Sequence, residues 1–122
     1  MSEIRGLHHV SVLVADTQRS VEFYTSILEL AIDRQRPEMT YAGAWLTVGE
    51  QQIHLIELPN PDPVSGRPDH VGRDRHMALA VVDLDNIIAR LEKQDISYTK
   101  SRSGRQAVFF RDPDGNGIEL IG

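Results

Sequence analysis

The chain has 122 residues and no cysteine. Disulfide frameworks, thiolate zinc sites, iron–sulfur clusters and cysteine nucleophiles are therefore excluded. No apolar run approaches the length of a membrane span. The opening Met1-Ser2-Glu3-Ile4-Arg5 lacks the basic-then-apolar pattern of a secretory signal. A soluble, cytoplasmic protein with no membrane partner is expected. Positive charge is also short: 13 Lys and Arg stand against 18 Asp and Glu, a formal net charge of −5. A nucleic-acid partner needs clustered basic charge and is not expected.

What is present is an ordinary globular composition, 40% hydrophobic and 25% charged, and an internal repeat. At an offset of 67 residues His9 aligns with His76, Val14 with Val81 and Asp16 with Asp83. At an offset of 65, Ile53-His54-Leu55-Ile56 aligns with Ile118-Glu119-Leu120-Ile121. Two matches at nearly one offset indicate a duplicated module. Each copy reads as βαβββ, an α+β pattern. A strand at 10–14 leads to Asp16 as N-cap and a helix near 17–28, with Val21, Tyr24 and Leu28 on its apolar face. Strands near 31–36, 42–48 and 51–58 follow. The second copy has a strand at 76–82, a helix capped by Asp83 that carries Ile87, Ile88 and Leu91, and strands near 96–101, 106–111 and 117–121. The modules span about 5–58 and 76–122. The linker 59–75 holds Pro59, Pro61, Pro63 and Pro68, four of the six prolines. A module of about 50 residues is marginal alone, so the two are expected to pair their sheets in one domain.

Strand alternation assigns faces. If Val10, Val12, Val14, Met77, Leu79, Val81, Ile53, Leu55, Ile118 and Leu120 face the helices, then His9, His54, His76 and Glu119 all project from the opposite surface. Three imidazoles and a carboxylate suit a divalent first-row metal. A lone strand histidine is more often a surface or hydrogen-bonded residue than a ligand. Shared parity and repeat equivalence of all four make the metal site the preferred reading. Ser11 and Ala78 are small and leave room beside them. His8 is expected on the helix side or at an edge, and His70 in the loop. Phe109 and Phe110 point to opposite faces, so one of them can line the cavity.

Leu7-His8-His9-Val10-Ser11-Val12, Ala15-Asp16 and Ser20-Val21-Glu22-Phe23-Tyr24 resemble the opening of vicinal oxygen chelate proteins. Arg111-Asp112-Pro113-Asp114-Gly115-Asn116-Gly117-Ile118-Glu119-Leu120 resembles that superfamily's closing motif. Together they cover essentially the whole chain. Gly43-Ala44-Trp45-Leu46, the run from Ile53 to Pro63, and Gly72-Arg73-Asp74-Arg75-His76 are similar to a glyoxalase I-like subgroup labelled lactoylglutathione lyase. The resemblance implies the glyoxalase/bleomycin resistance/dioxygenase fold, two tandem βαβββ modules forming a cupped mixed sheet. It places metal ligands at His9, His54, His76 and Glu119. The sequence departs from bacterial glyoxalase I at His54, where that enzyme typically has Glu. The closing Glu119 is retained, but a two-carboxylate arrangement is not.

The activity implied is a metal-dependent lyase or isomerase acting on a thiol adduct of a small 2-oxoaldehyde through a metal-chelated enediolate. Glu119 would shuttle the proton, and the ion would be nickel, zinc, cobalt or manganese. Ser11, Trp45, Arg73 and Arg105 are candidate substrate-binding residues. Arg67, Arg73, Arg75, Arg102, Arg105 and Arg111 could bind the carboxylates of a glutathione-like thiol, or a phosphonate. The alternative for most of them is a solvated, arginine-decorated loop. Other activities in the superfamily stay open: a fosfomycin-resistance-like thiol transferase, a dioxygenase, or a binding protein without catalysis. Relatives of this size imply a homodimer with sites at its interface.

Overall fold

The computed structural model describes residues 2–122. Its backbone divides into two compact units, one ending at Pro59 and the other spanning Asn60–Gly122. In the first unit, β1 (His9–Leu13) leads to α1 (Thr17–Ile27), then β2 (Ala31–Asp33), β3 (Gly43–Val48) and β4 (Gln51–Ile56). Asp16 caps α1 as expected: its backbone is extended and its carboxylate accepts the Arg19 N–H at 3.2 Å. Ser20, Tyr24 and Ile27 are the buried residues of the helix, at the spacing that places them on one face. Glu29, at φ 54°, breaks the helical run and turns the chain into β2. The sheet order is β1-β4-β3-β2, with β1 parallel to β4 and the other pairs antiparallel. Ala44, Leu46, Ile53 and Leu55 are buried on one face of the sheet, and α1 packs on β3 and β4.

The second unit repeats the plan. A single 3₁₀ turn (Val71–Arg73) precedes β5 (His76–Ala80), α2 (Leu84–Lys93), β6 (Thr99–Lys100), β7 (Ala107–Arg111) and β8 (Gly117–Ile121). Asp83 caps α2 through the Asn86 N–H at 3.0 Å. The sheet order β5-β8-β7-β6 is that of the first unit, again with the first and last strands parallel. Its core draws on Ile87 and Leu91 of α2 with Val108, Phe110, Ile118 and Leu120. The α+β fold with two mixed four-stranded sheets and two helices is therefore as the repeat implied.

The strands expected at 51–58 and 76–82 end two residues early, at Ile56 and Ala80, and two others are shortened by three residues or more. The one expected at 31–36 ends at Asp33, whose carboxylate accepts the Gln35 N–H at 2.9 Å and closes a local turn. The one expected at 96–101 is reduced to Thr99 and Lys100: the Ile96 N–H still bonds the Leu91 carbonyl of α2 at 2.9 Å, and the hydroxyl of Ser101 engages Ser103 in a turn. The turn from Asp112 to Gly117 forms as read: Asp112 Oδ1 accepts the N–H groups of Asp114 and Asn116, each at 2.9 Å, and Gly115 adopts φ 83°. Among the described residues no helix is long and apolar enough to cross a membrane.

Candidate metal centre

Pairing registers decide which side chains share a face. In the first sheet His9 lies opposite Gln52, Ser11 opposite His54, and Trp45 opposite His54. His9, Ser11, Trp45, Gln52 and His54 therefore occupy one face, away from the buried Ile53 and Leu55. In the second sheet Ala78 lies opposite Glu119, Phe109 opposite Glu119, and His76 opposite Gly117. His76, Ala78, Phe109 and Glu119 share a face there, and Phe110 points into the core at 1% exposure.

The second sheet brings its pair into contact. His76 Nε2 is 3.0 Å from Glu119 Oε1, and Arg105 donates from NH2 to Glu119 Oε2 at 2.8 Å. Glu119 is buried, whereas Arg105 is half exposed. The other ring nitrogen, His76 Nδ1, is 2.8 Å from the carbonyl oxygen of Asp74. A carbonyl only accepts, so Nδ1 carries the proton. In the neutral ring the lone pair is then on Nε2, facing a carboxylate oxygen that is also an acceptor. A proton or a metal ion between them satisfies both. An imidazole anchored through one nitrogen to a backbone carbonyl, with the other nitrogen beside a carboxylate, has the chemistry of a metal-ligand pair.

The first sheet arranges its pair differently. The rings of Trp45, His54 and His9 form a continuous stack, with centroids 4.5 Å and 3.9 Å apart. Asp33 Oδ2 accepts the Gln52 amide N–H at 2.6 Å, so the Gln52 oxygen faces His54 and accepts its Nε2–H at 2.8 Å. Only Nδ1 of His54 is left to bind a metal. Rings stacked at 3.9 Å and 15° carry their lone pairs in planes that do not meet at a metal–nitrogen distance of roughly 2 Å. His9 and His54 can serve one ion only after one ring turns. His8, expected on the helix side or at an edge, is exposed, with its Nδ1 2.8 Å from His9 Nδ1. Burial, followed by the positive charges of His9, His8 and Arg36, lowers the His54 pKa from the ordinary 6.5, against the pull of Asp33. Among the described residues no group of three or more His, Asp or Glu side chains is placed to hold a metal.

The arginines resolve individually. Arg67 grips Asp74 with two hydrogen bonds of 2.7 Å, and Arg111 adds one of 2.9 Å. Arg67 foremost, then Arg111 and the Arg75 N–H, hold the Asp74 carboxyl well below the usual carboxylate range, against burial. Arg75 pairs with Asp62. Arg67 and Arg111 therefore fasten the linker, whereas Arg75 and Asp62 form an exposed surface pair. Arg73 is exposed at the end of the 3₁₀ turn, and Arg102 is exposed beyond β6. His70 starts that turn, accepting the Gly72 N–H at 3.0 Å, and its ring meets Phe109 edge-on at 4.8 Å. Gln52, Asp33 and Asp74 were not singled out from sequence. Gln52 links His54 on its own strand to Asp33 on β2, and Asp74 meets Arg67 of the linker and Arg111 of β7, contacts that no spacing rule marks.

The chain matches the family model of the Glyoxalase/Bleomycin resistance protein/Dioxygenase superfamily over residues 6–120. Among curated proteins, Glyoxylase I 4 of Arabidopsis thaliana is 30% identical over 122 residues, covering 96% of this chain and 70% of the relative. A lactoylglutathione lyase of Salmonella typhimurium is 32% identical over 123 residues, covering 94% and 90%. Among solved structures, a single-site mutant of the fosfomycin resistance protein FosX of Listeria monocytogenes, complexed with Mn(II) and a dihydroxypropylphosphonic acid, gives a TM-score of 0.76. The identity is 18%, over 98% of this chain and 92% of that one.

Proposed function

This chain belongs to the Glyoxalase/Bleomycin resistance protein/Dioxygenase superfamily, and on that premise we propose that it is a metal-dependent lyase or isomerase acting on the thiol adduct of a small 2-oxoaldehyde. The observation that carries the reading is the buried Glu119 carboxylate beside His76 Nε2, with His76 anchored through Nδ1. His76 and Glu119 would be two of the ligands, and the sequence names His9 and His54 as the others. A bound nickel, zinc, cobalt or manganese ion supplies Lewis acidity toward the substrate oxygens.

The remaining steps belong to the protein. Glu119 takes the proton from the carbon bearing sulfur and hydroxyl, and returns it to the neighbouring carbonyl carbon. The hydroxyl proton passes from the first oxygen to the second, so the aldehyde-derived carbon ends as the thioester and the ketone as a secondary alcohol, with no net change in atoms. Arg105, now on Glu119 Oε2, exchanges that contact for an anionic group of the thiol adduct. Phe109, buried on the same face and edge-on to His76 at 5.8 Å, keeps water from the imidazole. Ser11 and Trp45 flank His54 on the first sheet and offer a hydroxyl and a ring face to substrate.

The test is product formation from methylglyoxal and glutathione with metal-loaded protein. Thioester product is expected, with a loss of roughly 10²-fold or more in Glu119→Gln. No product above background with metal fully loaded contradicts the assignment. The guanidinium at Glu119 also favours a second reading, thiol addition to a phosphonate epoxide, because guanidinium groups bind phosphonates in bidentate fashion. The same assay with an epoxide phosphonate distinguishes the two. The working molecule in this proposal is a homodimer. Dilution to monomer should release metal, and full retention would count against shared sites.

A further inference from the structure

We propose that Asp74 is a positioning residue for His76, held in place by Arg67 and Arg111, and that this clamp fixes the tautomer that presents Nε2 to a metal. The inference rests on the reading of His76 as a ligand and adds three residues to it, none of them adjacent to another in sequence.

Every polar group of Asp74 is committed. Its N–H bonds the Val71 carbonyl at 2.9 Å, closing the 3₁₀ turn. Oδ2 accepts Arg67 Nε at 2.7 Å and Arg111 NH1 at 2.9 Å, while Oδ1 accepts Arg67 NH2 at 2.7 Å and the Arg75 N–H at 2.8 Å. The arginines are fastened in turn. Arg111 also donates to the carbonyls of Gly115 at 2.8 Å and Pro68 at 2.7 Å, and Arg67 to that of Pro63 at 3.2 Å. With its N–H, its side chain and the following N–H all fixed, the Asp74 carbonyl has one direction left. It points at His76 Nδ1, 2.8 Å away.

The consequence is chemical. A free histidine in water favours the proton on Nε2. The Asp74 carbonyl instead demands it on Nδ1, so the lone pair stands on Nε2 toward Glu119. A carbonyl held this firmly raises the basicity of the ligating nitrogen and removes the cost of selecting the minor tautomer when metal binds. A fastening that only tied the linker to the sheet would leave the tautomer to the Glu119 carboxylate, which accepts from Nε2–H. The two possibilities therefore differ in an observable that does not involve activity.

The tautomer is read by nitrogen NMR of the imidazole rings in metal-free protein, at a pH where His76 is neutral. Wild type is expected to show a protonated Nδ1 and a lone-pair Nε2. Asp74→Asn and Arg111→Lys are expected to shift His76 toward the Nε2–H form and to weaken Mn²⁺ binding about tenfold or more, measured by electron paramagnetic resonance titration. An Nε2–H tautomer in wild type overturns the proposal with no variant needed. So does a folded Asp74→Asn or Arg111→Lys protein in which tautomer and Mn²⁺ affinity are both unchanged. An Nδ1–H tautomer that is lost in the variants supports the clamp. If that same wild type fails to bind Mn²⁺, the clamp stands and the metal reading of the site fails.

Discussion

At His54 a single side chain shows how far residue-level reading reaches. Strand alternation put it on the same face as His9, and the registers Ser11–His54 and His9–Gln52 place it there. Alternation is a property of the backbone and so is legible in sequence. Its hydrogen-bond state is not. That is decided by Gln52 two residues away on the same face, and by Asp33 at the far side of the sheet. Its depressed pKa carries a signed prediction. Because the folded state resists protonation, the unfolded chain binds more protons below the ordinary value of 6.5. Stability from this group is full above that pH and declines as pH falls through the lower folded value. Metal-free wild type should therefore lose melting temperature between neutral and mildly acidic pH, and His54→Gln should flatten that loss. An identical pH profile in both proteins would refute the account of His54. The same argument explains why Glu119 was legible: it is the carboxylate of a closing strand whose neighbours Ile118 and Leu120 are fully buried.

At the level of elements, caps and turns were read well and element lengths less so. Asp16 and Asp83 cap their helices through the N–H groups of Arg19 and Asn86, as local chemistry requires. The short β2 and β6 end where side chains of Asp33 and Ser101 take backbone or neighbouring groups, a competition that β-propensity does not register. The linker was the least legible element. Prolines marked it as irregular, but its attachment depends on Arg67 and Asp74 within it meeting Arg111, which sequence leaves far off on β7. Its packing yields a further prediction at Gly117. A Cβ there would lie 2.8 Å from Val71 Cγ1 and 2.9 Å from both the Arg75 carbonyl oxygen and His76 Cβ. Gly117→Ala should cost about 1–3 kcal/mol of stability by overpacking, and should weaken metal binding by displacing His76. A variant with unchanged melting temperature and metal affinity would mean that the 3₁₀ turn and β5 are looser against β8 than these distances require.

For the whole molecule, the repeat is the deepest feature that sequence carried. Each unit reproduces the strand order, the parallel pairing of its first and last strands and the Asp-capped helix of the other. The duplication also sets the two candidate pairs on equivalent strands, His9 with His54 and His76 with Glu119. What it could not convey is that the pairs are unequal. Glu119 meets His76 as a buried carboxylate beside an anchored imidazole, whereas His54 is stacked on Trp45 and His9 and bonded to Gln52. The most direct test of the metal-dependent reading is equilibrium dialysis against nickel, zinc, cobalt and manganese, followed by elemental analysis of wild type, His76→Ala and Glu119→Gln. The account predicts close to one ion per chain in wild type for at least one metal, with affinity reduced about tenfold or more in both variants. Equal metal content in the variants, or none in wild type, would contradict it.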